Sequence, residues 1–161
     1  MKNEEKIDCI SPNTGASFDQ WSETPISEFR ESLARVSRHS FPDLATVSSR
    51  RAVLLEISHL IEVNRDEFEK IIINEVGKTR AEAVAEIDYS KSFLTYVADL
   101  MKSENFLEKI DKERKVLSVP RGVGLLITPF NDPLAGITRK LANCLGSGAG
   151  AVIKPPELGI K

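Results

Sequence analysis

The chain has 161 residues, of which 41% are hydrophobic and 29% are charged. This length allows one domain with a proper core but is short for two, and the composition is typical of a folded protein. The 22 basic and 24 acidic residues give a net charge of −2, which removes the usual electrostatic argument for nucleic-acid binding. No apolar run approaches the roughly 20 residues that span a bilayer, and the charged start does not resemble a signal peptide. We therefore expect no membrane association and a cytoplasmic location.

The residues that could form disulfides or bind metals are few. The chain contains two cysteines, Cys9 and Cys144, and two histidines, His39 and His59. Two cysteines without an export signal do not make a disulfide framework, so both are expected to be reduced thiols. Two cysteines and two histidines provide too few soft ligands for a structural zinc site, and no metal is predicted.

The first 40 residues predict a turn followed by a helix. Residues 11–15 form a turn cluster flanked by short apolar stretches, which indicates a small hairpin or an extended arm. Thr24 and Pro25 mark a helix start, with Thr24 as the N-cap and Pro25 in the first helical position. The helix is expected to reach about Ser40, before Pro42 separates it from the next one.

Two further helices are predicted between residues 44 and 77. Apolar residues recur at helical spacing over 44–63. Asn64 is then a candidate N-cap for a helix with acidic residues in its first turn, where the helix dipole favours them. Gly77 is typical of the residue that follows the C-terminus of a helix, so this helix is expected to stop there.

The fourth predicted helix has the clearest signature. Thr79 and Glu82 have the spacing of a capping box. A set of mostly apolar residues then recurs at spacings of four and three over about six turns, which predicts one continuous buried stripe. The stripe comprises Ala83, Ile87, Ser90, Leu94, Val97 and Met101.

From residue 106 onward the pattern changes from helical to β. Two short apolar runs within 106–120 flank a charged segment, 111–114, which indicates a β-hairpin with a charged turn. The apolar run 122–128 is then typical of a buried parallel strand.

A helix and a second strand follow that run. Asn131 or Asp132 is a candidate N-cap for a helix that extends to about Leu145. The glycine-rich segment 146–150 then leads into an apolar strand at 151–154. Strand, helix and strand within about 30 residues predict a βαβ unit. The glycines follow a helix and precede a strand, the reverse of a dinucleotide-binding loop, so we interpret them as a tight turn.

Polar residues follow both predicted parallel strands, at the edge where open α/β sheets bind ligands. Asn131 could donate an amide N–H to a developing oxyanion, or it could serve only as a helix cap. Lys154 and Glu157 could bind the hydroxyl groups of a sugar, or they could belong to a solvated loop. Spacing alone leaves these alternatives open.

Three ordered motifs resemble the aldehyde dehydrogenase superfamily. The family reads Pro-x-Gly-Val, then Pro-Trp-Asn-Phe-Pro, then Lys-Pro-Ser-Glu at matching separations; this chain has Pro-Arg-Gly-Val from Pro120, Pro-Phe-Asn-Asp-Pro from Pro129 and Lys-Pro-Pro-Glu from Lys154. The segment 75–79 and the helix after it also resemble the part of the family that precedes its oligomerisation hairpin. The resemblance implies an incomplete aldehyde dehydrogenase fold of the α/β class. It would contain N-terminal helices, a short β-hairpin and a partial Rossmann-like βαβ unit with parallel strands.

The resemblance also implies roles for individual residues. Asn131 matches the asparagine that helps to form the oxyanion hole, and Lys140 matches a lysine on the intervening helix. Lys154 and Glu157 match the pair that holds the adenosine ribose. The carboxylate of Glu157 would accept hydrogen bonds from the ribose hydroxyls and repel a 2′-phosphate, which favours NAD over NADP as the cofactor. The strand end on the nicotinamide side is matched by Ile127, Thr128, Pro129 and Phe130.

Three positions depart from the family pattern. Phe130 stands where tryptophan is usual, Asp132 where phenylalanine is usual, and Pro156 where serine is usual. Asp132 would place a charge beside the substrate tunnel, where an apolar pocket is the rule. Cys144 does not match the catalytic cysteine and is expected to be a small core residue.

By the same resemblance, residues 1–161 are the N-terminal part of the NAD(P)-binding domain of such an enzyme. This part would comprise a helical segment at 24–102, a hairpin at 106–120 and the βαβ unit at 122–154. The family oxidises a small aldehyde with NAD(P)⁺ through a cysteine thioester, and its catalytic cysteine and glutamate lie well beyond the last motif. This chain ends four residues after Glu157, so by itself it is expected to be inactive and to lack the catalytic domain.

Two classes of function therefore stay open at this point. The first is the N-terminal portion of a homo-oligomeric aldehyde dehydrogenase, either hydrolytic or CoA-acylating. The second is a non-catalytic truncated module that binds a nucleotide weakly or binds a protein partner.

Overall fold

The structure is a computed structural model that describes residues 6–38, 46–102, 108–110, 115–117 and 119–157. Within these ranges it contains five helices and six strands. In chain order they are β1 (Lys6–Ile10), β2 (Ser17–Ser22), α1 (Ile26–Arg38), α2 (Val47–Val63), α3 (Arg65–Val76), α4 (Arg80–Leu100), β3 (Glu108–Ile110), β4 (Lys115–Leu117), β5 (Val123–Ile127), α5 (Pro133–Ser147) and β6 (Gly150–Lys154).

The strands form three separate pairs. β1 pairs with β2 and β3 pairs with β4, both antiparallel, while β5 and β6 are parallel in a register that runs from Val123 opposite Gly150 to Ile127 opposite Lys154. The second hairpin and the βαβ unit formed by β5, α5 and β6 are thus present as predicted, and of the two alternatives for the N-terminal segment, a small hairpin or an extended arm, the structure has the hairpin. The charged turn predicted at 111–114 lies outside the described residues.

A helix packs against each face of the parallel pair, and two glycines show how closely the helices approach. A Cβ added to Gly124 would lie 2.8 Å from Sγ of Cys144 on α5, and one added to Gly150 would lie 2.5 Å from Cγ1 of Val36 on α1. Gly150 lies opposite Val123, the neighbour of Gly124, and successive residues of a strand point to opposite faces. α5 and α1 therefore lie on opposite sides of the pair, as in an α/β layer arrangement.

The buried stripe predicted on α4 is confirmed. All six of its residues are buried, and the five apolar ones join Leu54 and Ile61 of α2, Ile72 of α3 and Ala142 of α5 in one hydrophobic cluster. The capping box at the start of the helix is also confirmed: the Glu82 N–H donates to Thr79 Oγ1, and the Thr79 N–H donates to Glu82 Oε2. α4 is therefore the central helix, against which α2, α3 and α5 pack.

Two predicted helix starts differ in detail from the structure. α1 begins at Ile26, and Pro25 precedes it as the residue whose carbonyl accepts the Phe29 N–H at 3.1 Å. Asn64 precedes α3, but its side chain donates back to the Leu60 carbonyl at 2.8 Å and forms no cap bond to α3. A single residue separates α2 from α3, so the amide of Asn64 serves the end of the preceding helix instead. The predicted end of α1 near Ser40 and the break at Pro42 lie outside the described residues.

Three predictions about the βαβ unit need correction. β5 was predicted to be buried, but within it only Leu126 is buried, while Leu125 and Ile127 are more than half exposed. Leu126 lies on the α5 face of the strand; Leu125 and Ile127 lie on the other face of a sheet that has only two strands in the described part of the chain. α5 extends two residues beyond Leu145, since Gly146 packs against Val97 and Met101 and the left-handed residue is Gly148. The second strand begins at Gly150, one residue early.

An ion-pair cluster connects the surfaces of α2, α3 and α4. Arg65 Nη2 lies 2.9 Å from Glu62 Oε2 and also pairs with Asp88, and Lys91 donates to the same Glu62 oxygen. Hydrogen bonds from Arg65 and then from Lys91 lower the pKa of the Glu62 carboxyl to about 2. The cluster lies at the surface, so its contribution to stability is expected to be small.

The depressed pKa of Glu62 predicts a specific acid response. The stability contributed by this carboxylate is present above its ordinary pKa of 4.5 and is lost as the pH falls through about 2. Glu62→Gln should therefore melt below the wild type at pH 6, and this difference in Tm should shrink as the pH falls toward 2. Thermal melts at both pH values check this. The difference in Tm between the wild type and Arg65→Met should shrink in the same way between pH 6 and pH 2. An equal gap in Tm at both pH values would contradict the assignment.

Candidate functional site

The predicted site residues lie together at one edge of the parallel pair. β5 ends at Ile127 and β6 ends at Lys154, and these two residues face each other in the register. The Thr128 N–H and Oγ1 both approach the Lys154 carbonyl, at 3.2 and 3.4 Å. The two segments that follow the strands are thereby joined at the edge where α/β sheets bind ligands.

The side chains at this edge differ in exposure. Ile127 is 59% exposed and Phe130 is 54% exposed, whereas Thr128 is buried. Lys154 and Glu157 are both exposed at the end of β6. The edge therefore presents apolar surface from one strand end and a lysine and a carboxylate from the other, and Thr128 serves as the connection between them.

Lys140 supports the end of β5. It lies on α5, and its ammonium donates to the main-chain carbonyl of Ile127, the last residue of the strand. Gly136, one turn earlier, lies against Pro129, and a Cβ added there would lie 3.2 Å from Cδ of the proline. The N-terminal half of α5 is thus packed directly against the segment that leads to Asn131.

Asn131 and Asp132 contact each other through their side chains. Asn131 Nδ2 donates to Asp132 Oδ2 at 2.8 Å, and Asp132 Oδ1 lies 2.5 Å from Lys78 Nζ. Asp132 occupies the N-cap position of α5 but its side chain makes no cap hydrogen bond. The prediction that Asn131 or Asp132 is the N-cap of α5 is therefore confirmed in position for Asp132, but neither side chain forms a cap hydrogen bond, because the two side chains contact each other and Lys78.

The start of α5 is capped instead by a residue of another helix. Glu86 of α4 is buried, and its Oε1 accepts the backbone N–H groups of Leu134 and Ala135 at 2.9 and 3.0 Å. Its other oxygen, Oε2, lies 2.6 Å from Lys78 Nζ. A carboxylate at this position satisfies two otherwise unpaired donors and interacts favourably with the positive end of the helix dipole.

Lys78 connects the buried and the exposed carboxylates. Burial of its ammonium lowers its pKa, but the hydrogen bonds to Asp132 and Glu86 outweigh that effect, so the pKa is raised above the ordinary 10.5. Lys78 therefore stays charged at neutral pH and holds the two carboxylates together.

Sequence reasoning missed Lys78 and Glu86, although one signal was available. Glu86 follows Ala83 by three residues and precedes Ser90 by four, so it lies on the same helix face as the buried stripe. A glutamate on a buried face needs a partner, which is a reason to search for one. The sequence gives no comparable signal for Lys78, because its partners come from elements that are distant along the chain.

An open groove of about 740 Å³ lies between α4 and α5, beside these residues. We call it the α4–α5 groove. Its polar lining contains Lys78 with its partners Glu86 and Asp132, and also Arg139, whose guanidinium lies 6.0 Å from the centre of the Phe93 ring. The groove is lined by Lys78, Glu82, Ala85, Glu86, Tyr89, Pro129, Asn131, Asp132, Ala135, Gly136 and Arg139.

Neither cysteine has the features of an activated nucleophile. Cys9 is buried in β1 and Cys144 lies against β5, and burial is the first cause that raises the pKa of both thiols. Among the described residues, no group of three or more histidine, cysteine, aspartate or glutamate side chains is arranged to hold a metal ion. None of the described helices is both long and apolar enough to cross a membrane.

The fold and the edge site together define a class of protein, an α/β chain that presents the carboxyl ends of two parallel strands to a ligand. The sequence model described as the aldehyde dehydrogenase family matches residues 1–160, so the chain belongs to the aldehyde dehydrogenase family.

Curated relatives and solved structures agree with this assignment. The chain is 34% identical to the mitochondrial succinate-semialdehyde dehydrogenase of Rattus norvegicus over 152 residues, which cover 91% of this chain and 29% of the relative. It is 31% identical to the D-glyceraldehyde dehydrogenase (NADP⁺) of Thermoplasma acidophilum over 92% of this chain and 31% of the relative. The chain thus spans under a third of the length of these two relatives.

A solved structure supports the fold. Aldehyde dehydrogenase C of Pseudomonas syringae, in a complex with NAD⁺ and octanal, superposes with a TM-score of 0.90 and 25% identity. The match covers 96% of this chain and 32% of that one. The incomplete aldehyde dehydrogenase fold predicted from the motifs is therefore confirmed.

Proposed function

We propose that residues 1–161 are the N-terminal part of the NAD(P)-binding domain of an oxidoreductase that oxidises an aldehyde with NAD(P)⁺ through a cysteine thioester. The division into a helical segment at 24–102, a hairpin at 106–120 and a βαβ unit at 122–154 belongs to this proposal. The observation that carries it is the position of Asn131 at the meeting point of the strand edge and the α4–α5 groove, in a chain of the aldehyde dehydrogenase family.

In this proposal Asn131 supplies the oxyanion donor. When a thiolate adds to an aldehyde, negative charge develops on the carbonyl oxygen, and an amide N–H directed at that oxygen stabilises it. Asn131 lines the groove and is exposed, so a substrate in the groove could reach its amide. Neither described cysteine is placed as a nucleophile, so the isolated chain is expected to be inactive.

The strand edge fits a nicotinamide dinucleotide. Ile127, Thr128, Pro129 and Phe130 would line the nicotinamide side, where the exposed side chains of Ile127 and Phe130 offer apolar surface. Lys154 and Glu157, exposed at the end of β6, would hold the adenosine ribose. When bound, the dinucleotide accepts the hydride from the substrate. The carboxylate of Glu157 would favour NAD over NADP. Of the relatives named above, the one from Thermoplasma acidophilum is named for NADP⁺, and the Pseudomonas syringae structure contains NAD⁺.

The groove suggests an aldehyde that carries an anionic group. Of the two basic residues in its lining, Lys78 is paired with two carboxylates, whereas Arg139 is exposed and lies beside an aromatic ring. An exposed guanidinium can bind a carboxylate with two parallel hydrogen bonds. The relative from Rattus norvegicus is named for succinate semialdehyde, which carries such a carboxylate.

Capture of the polypeptide from its source cells tests the proposal. An antibody raised against this chain should recover a band about three times heavier than 17.8 kDa, since the chain covers 29% of the rat relative. The captured material should form NADH faster with succinate semialdehyde than with butanal, a neutral aldehyde of equal length. Sedimentation of the captured material would test the proposed homo-oligomer. Fractionation of the source cells would test the proposed cytoplasmic location.

One control and the size of the captured band decide between the proposal and its alternative. The purified 161-residue chain should form no NADH under the same conditions. A captured band at 17.8 kDa, without aldehyde-dependent NADH formation, would overturn the proposal and favour a non-catalytic module that binds a nucleotide weakly or a protein partner. A heavy band whose aldehyde-dependent NADH formation requires coenzyme A would identify a CoA-acylating enzyme instead of a hydrolytic one.

A further inference from the structure

We propose that Lys78 and Asp132 form a positioning pair for Asn131, in which Asp132 holds one N–H of the carboxamide and leaves the other to face a ligand in the α4–α5 groove. The inference rests on the proposed function, because it takes Asn131 to be the oxyanion donor. It adds two residues to the site that do not themselves contact the reacting atoms.

The geometry forms a continuous chain of contacts from the core to the groove. Glu86 Oε2 lies 2.6 Å from Lys78 Nζ, Lys78 Nζ lies 2.5 Å from Asp132 Oδ1, and Asp132 Oδ2 accepts Asn131 Nδ2 at 2.8 Å. The exposed side-chain fraction rises along the chain, from 3% at Glu86 to 16% at Lys78 and 49% at Asp132. The amide of Asn131 is thus connected to a group that the core holds in one place.

A fixed orientation matters because an exposed asparagine is otherwise free to rotate. A carboxamide has two N–H donors, and when one of them is bound to a fixed acceptor the direction of the other is set. Donors that are oriented before the reaction stabilise developing charge without reorganising. The hydrogen bond between Asn131 and Asp132 therefore replaces part of the ordering that a substrate would have to impose.

Lys78 also compensates the negative charge that Asp132 places beside Asn131. A carboxylate next to an oxyanion donor would repel the negative charge that the donor must stabilise. Lys78 places a positive charge directly on Asp132, and the raised pKa of Lys78 keeps that charge present at neutral pH. Asp132 can then accept the amide of Asn131 with much of its charge compensated.

Nuclear magnetic resonance on the ¹⁵N-labelled chain tests the proposal without catalysis. The heteronuclear NOE of the Asn131 side-chain amide reports whether this group is ordered. In the wild type it should be close to the backbone values, and in Asp132→Ala and Lys78→Met it should fall to the range of freely rotating side chains. Arg139→Met is the matched control, because it removes the other groove cation without touching the pair.

A second readout separates positioning from general loosening of the helix. The backbone amides of Leu134 and Ala135 are bound to Glu86, so they report on the start of α5. In Asp132→Ala these two resonances should stay near their wild-type positions while the Asn131 amide loses order. If Asp132→Ala does not fold, Asp132→Asn keeps the size of the side chain but leaves one oxygen for two donors. The Lys78 ammonium should take that oxygen, so the Asn131 amide should lose order and the pKa of Lys78 should fall.

The outcomes are distinct from those that test the proposed function. An Asn131 amide that is mobile in the wild type, or equally ordered in Asp132→Ala and Lys78→Met, would overturn the positioning pair. Loss of order accompanied by large shifts of Leu134 and Ala135 would also overturn it and assign a purely structural role. An ordered amide in a polypeptide that never oxidises aldehydes would leave the pair intact and refute the proposed function.

Discussion

Replacing Glu86 with alanine is expected to lower the free energy of unfolding by about 3–5 kcal/mol, the range for removing one partner of a buried ion pair. The carboxylate is buried, and three donors depend on it, namely Lys78 and the backbone N–H groups of Leu134 and Ala135. Without it, both N–H groups at the start of α5 lose their acceptor and Lys78 retains only Asp132. Urea unfolding with a constant m-value would measure the loss.

Glu86→Gln is the matched variant for this experiment. It keeps one oxygen that can accept the two backbone N–H groups but removes the charge that faces Lys78, so its cost should be smaller, about 1–3 kcal/mol. A glutamine variant as unstable as the alanine variant would show that charge, and not the cap, dominates. An alanine variant within about 0.5 kcal/mol of the wild type, the range of ordinary surface changes, would refute the buried cap.

The pH dependence of the same variant has a definite sign. The pKa of Lys78 is raised in the folded state, so the stability from its ion pairs is present below its ordinary 10.5 and is lost as the pH rises through the folded value. The difference in unfolding free energy between wild type and Glu86→Ala should therefore shrink in alkali above 10.5. A difference that stays constant above pH 10.5 would show that Glu86 stabilises the fold as the cap of α5 and not as the partner of Lys78.

In the proposed full-length enzyme, Asn131→Ala is expected to lower kcat by about 10²–10³-fold, the usual effect of removing one oxyanion donor. The reason is that the amide would stabilise charge that is present only as the thiolate adds to the aldehyde, so the loss falls on kcat more than on KM. Steady-state kinetics with a saturating aldehyde would measure it. Stability should change little, because the Asn131 side chain is exposed.

Asn143→Ala provides the control for that substitution. Asn143 is an exposed asparagine of α5 whose Nδ2 donates to the Arg139 carbonyl, outside the groove lining. It should leave kcat within about twofold, since surface substitutions away from special features have small effects. A comparable loss of kcat in both variants would indicate that the effect comes from α5 as a whole and would remove Asn131 from the proposed oxyanion site.

Several elements could be predicted from the sequence because their causes are local. The capping box at Thr79 and Glu82 lies within one helical turn, and the stripe from Ala83 to Met101 repeats at helical spacing. The alternation of strand, helix and strand was visible from the apolar runs on either side of α5. The motifs around Asn131 and Glu157 carried the family resemblance, which the match over residues 1–160 confirms.

Other features were not predictable because they depend on contacts between distant residues. The cap of α5 comes from Glu86, 48 residues before Leu134 along the chain, and this displaced the side-chain caps expected from Asn131 and Asp132. The pairing of Lys78 with Asp132 spans 54 residues. No local pattern encodes such pairs, because they arise only when the packing of α4 against α5 brings their polar groups together.

The amino-acid sequence by itself thus determined the helices and strands, the buried face of α4 and the family, because each depends on spacing or on a motif within a short stretch. The tertiary structure alone decided how Asn131 is held, since Asp132, which accepts its amide N–H, is itself paired with Lys78 from the loop before α4. It also decided which face of β5 is exposed, because burial depends on the elements that cover a strand and not on the strand's own apolar run.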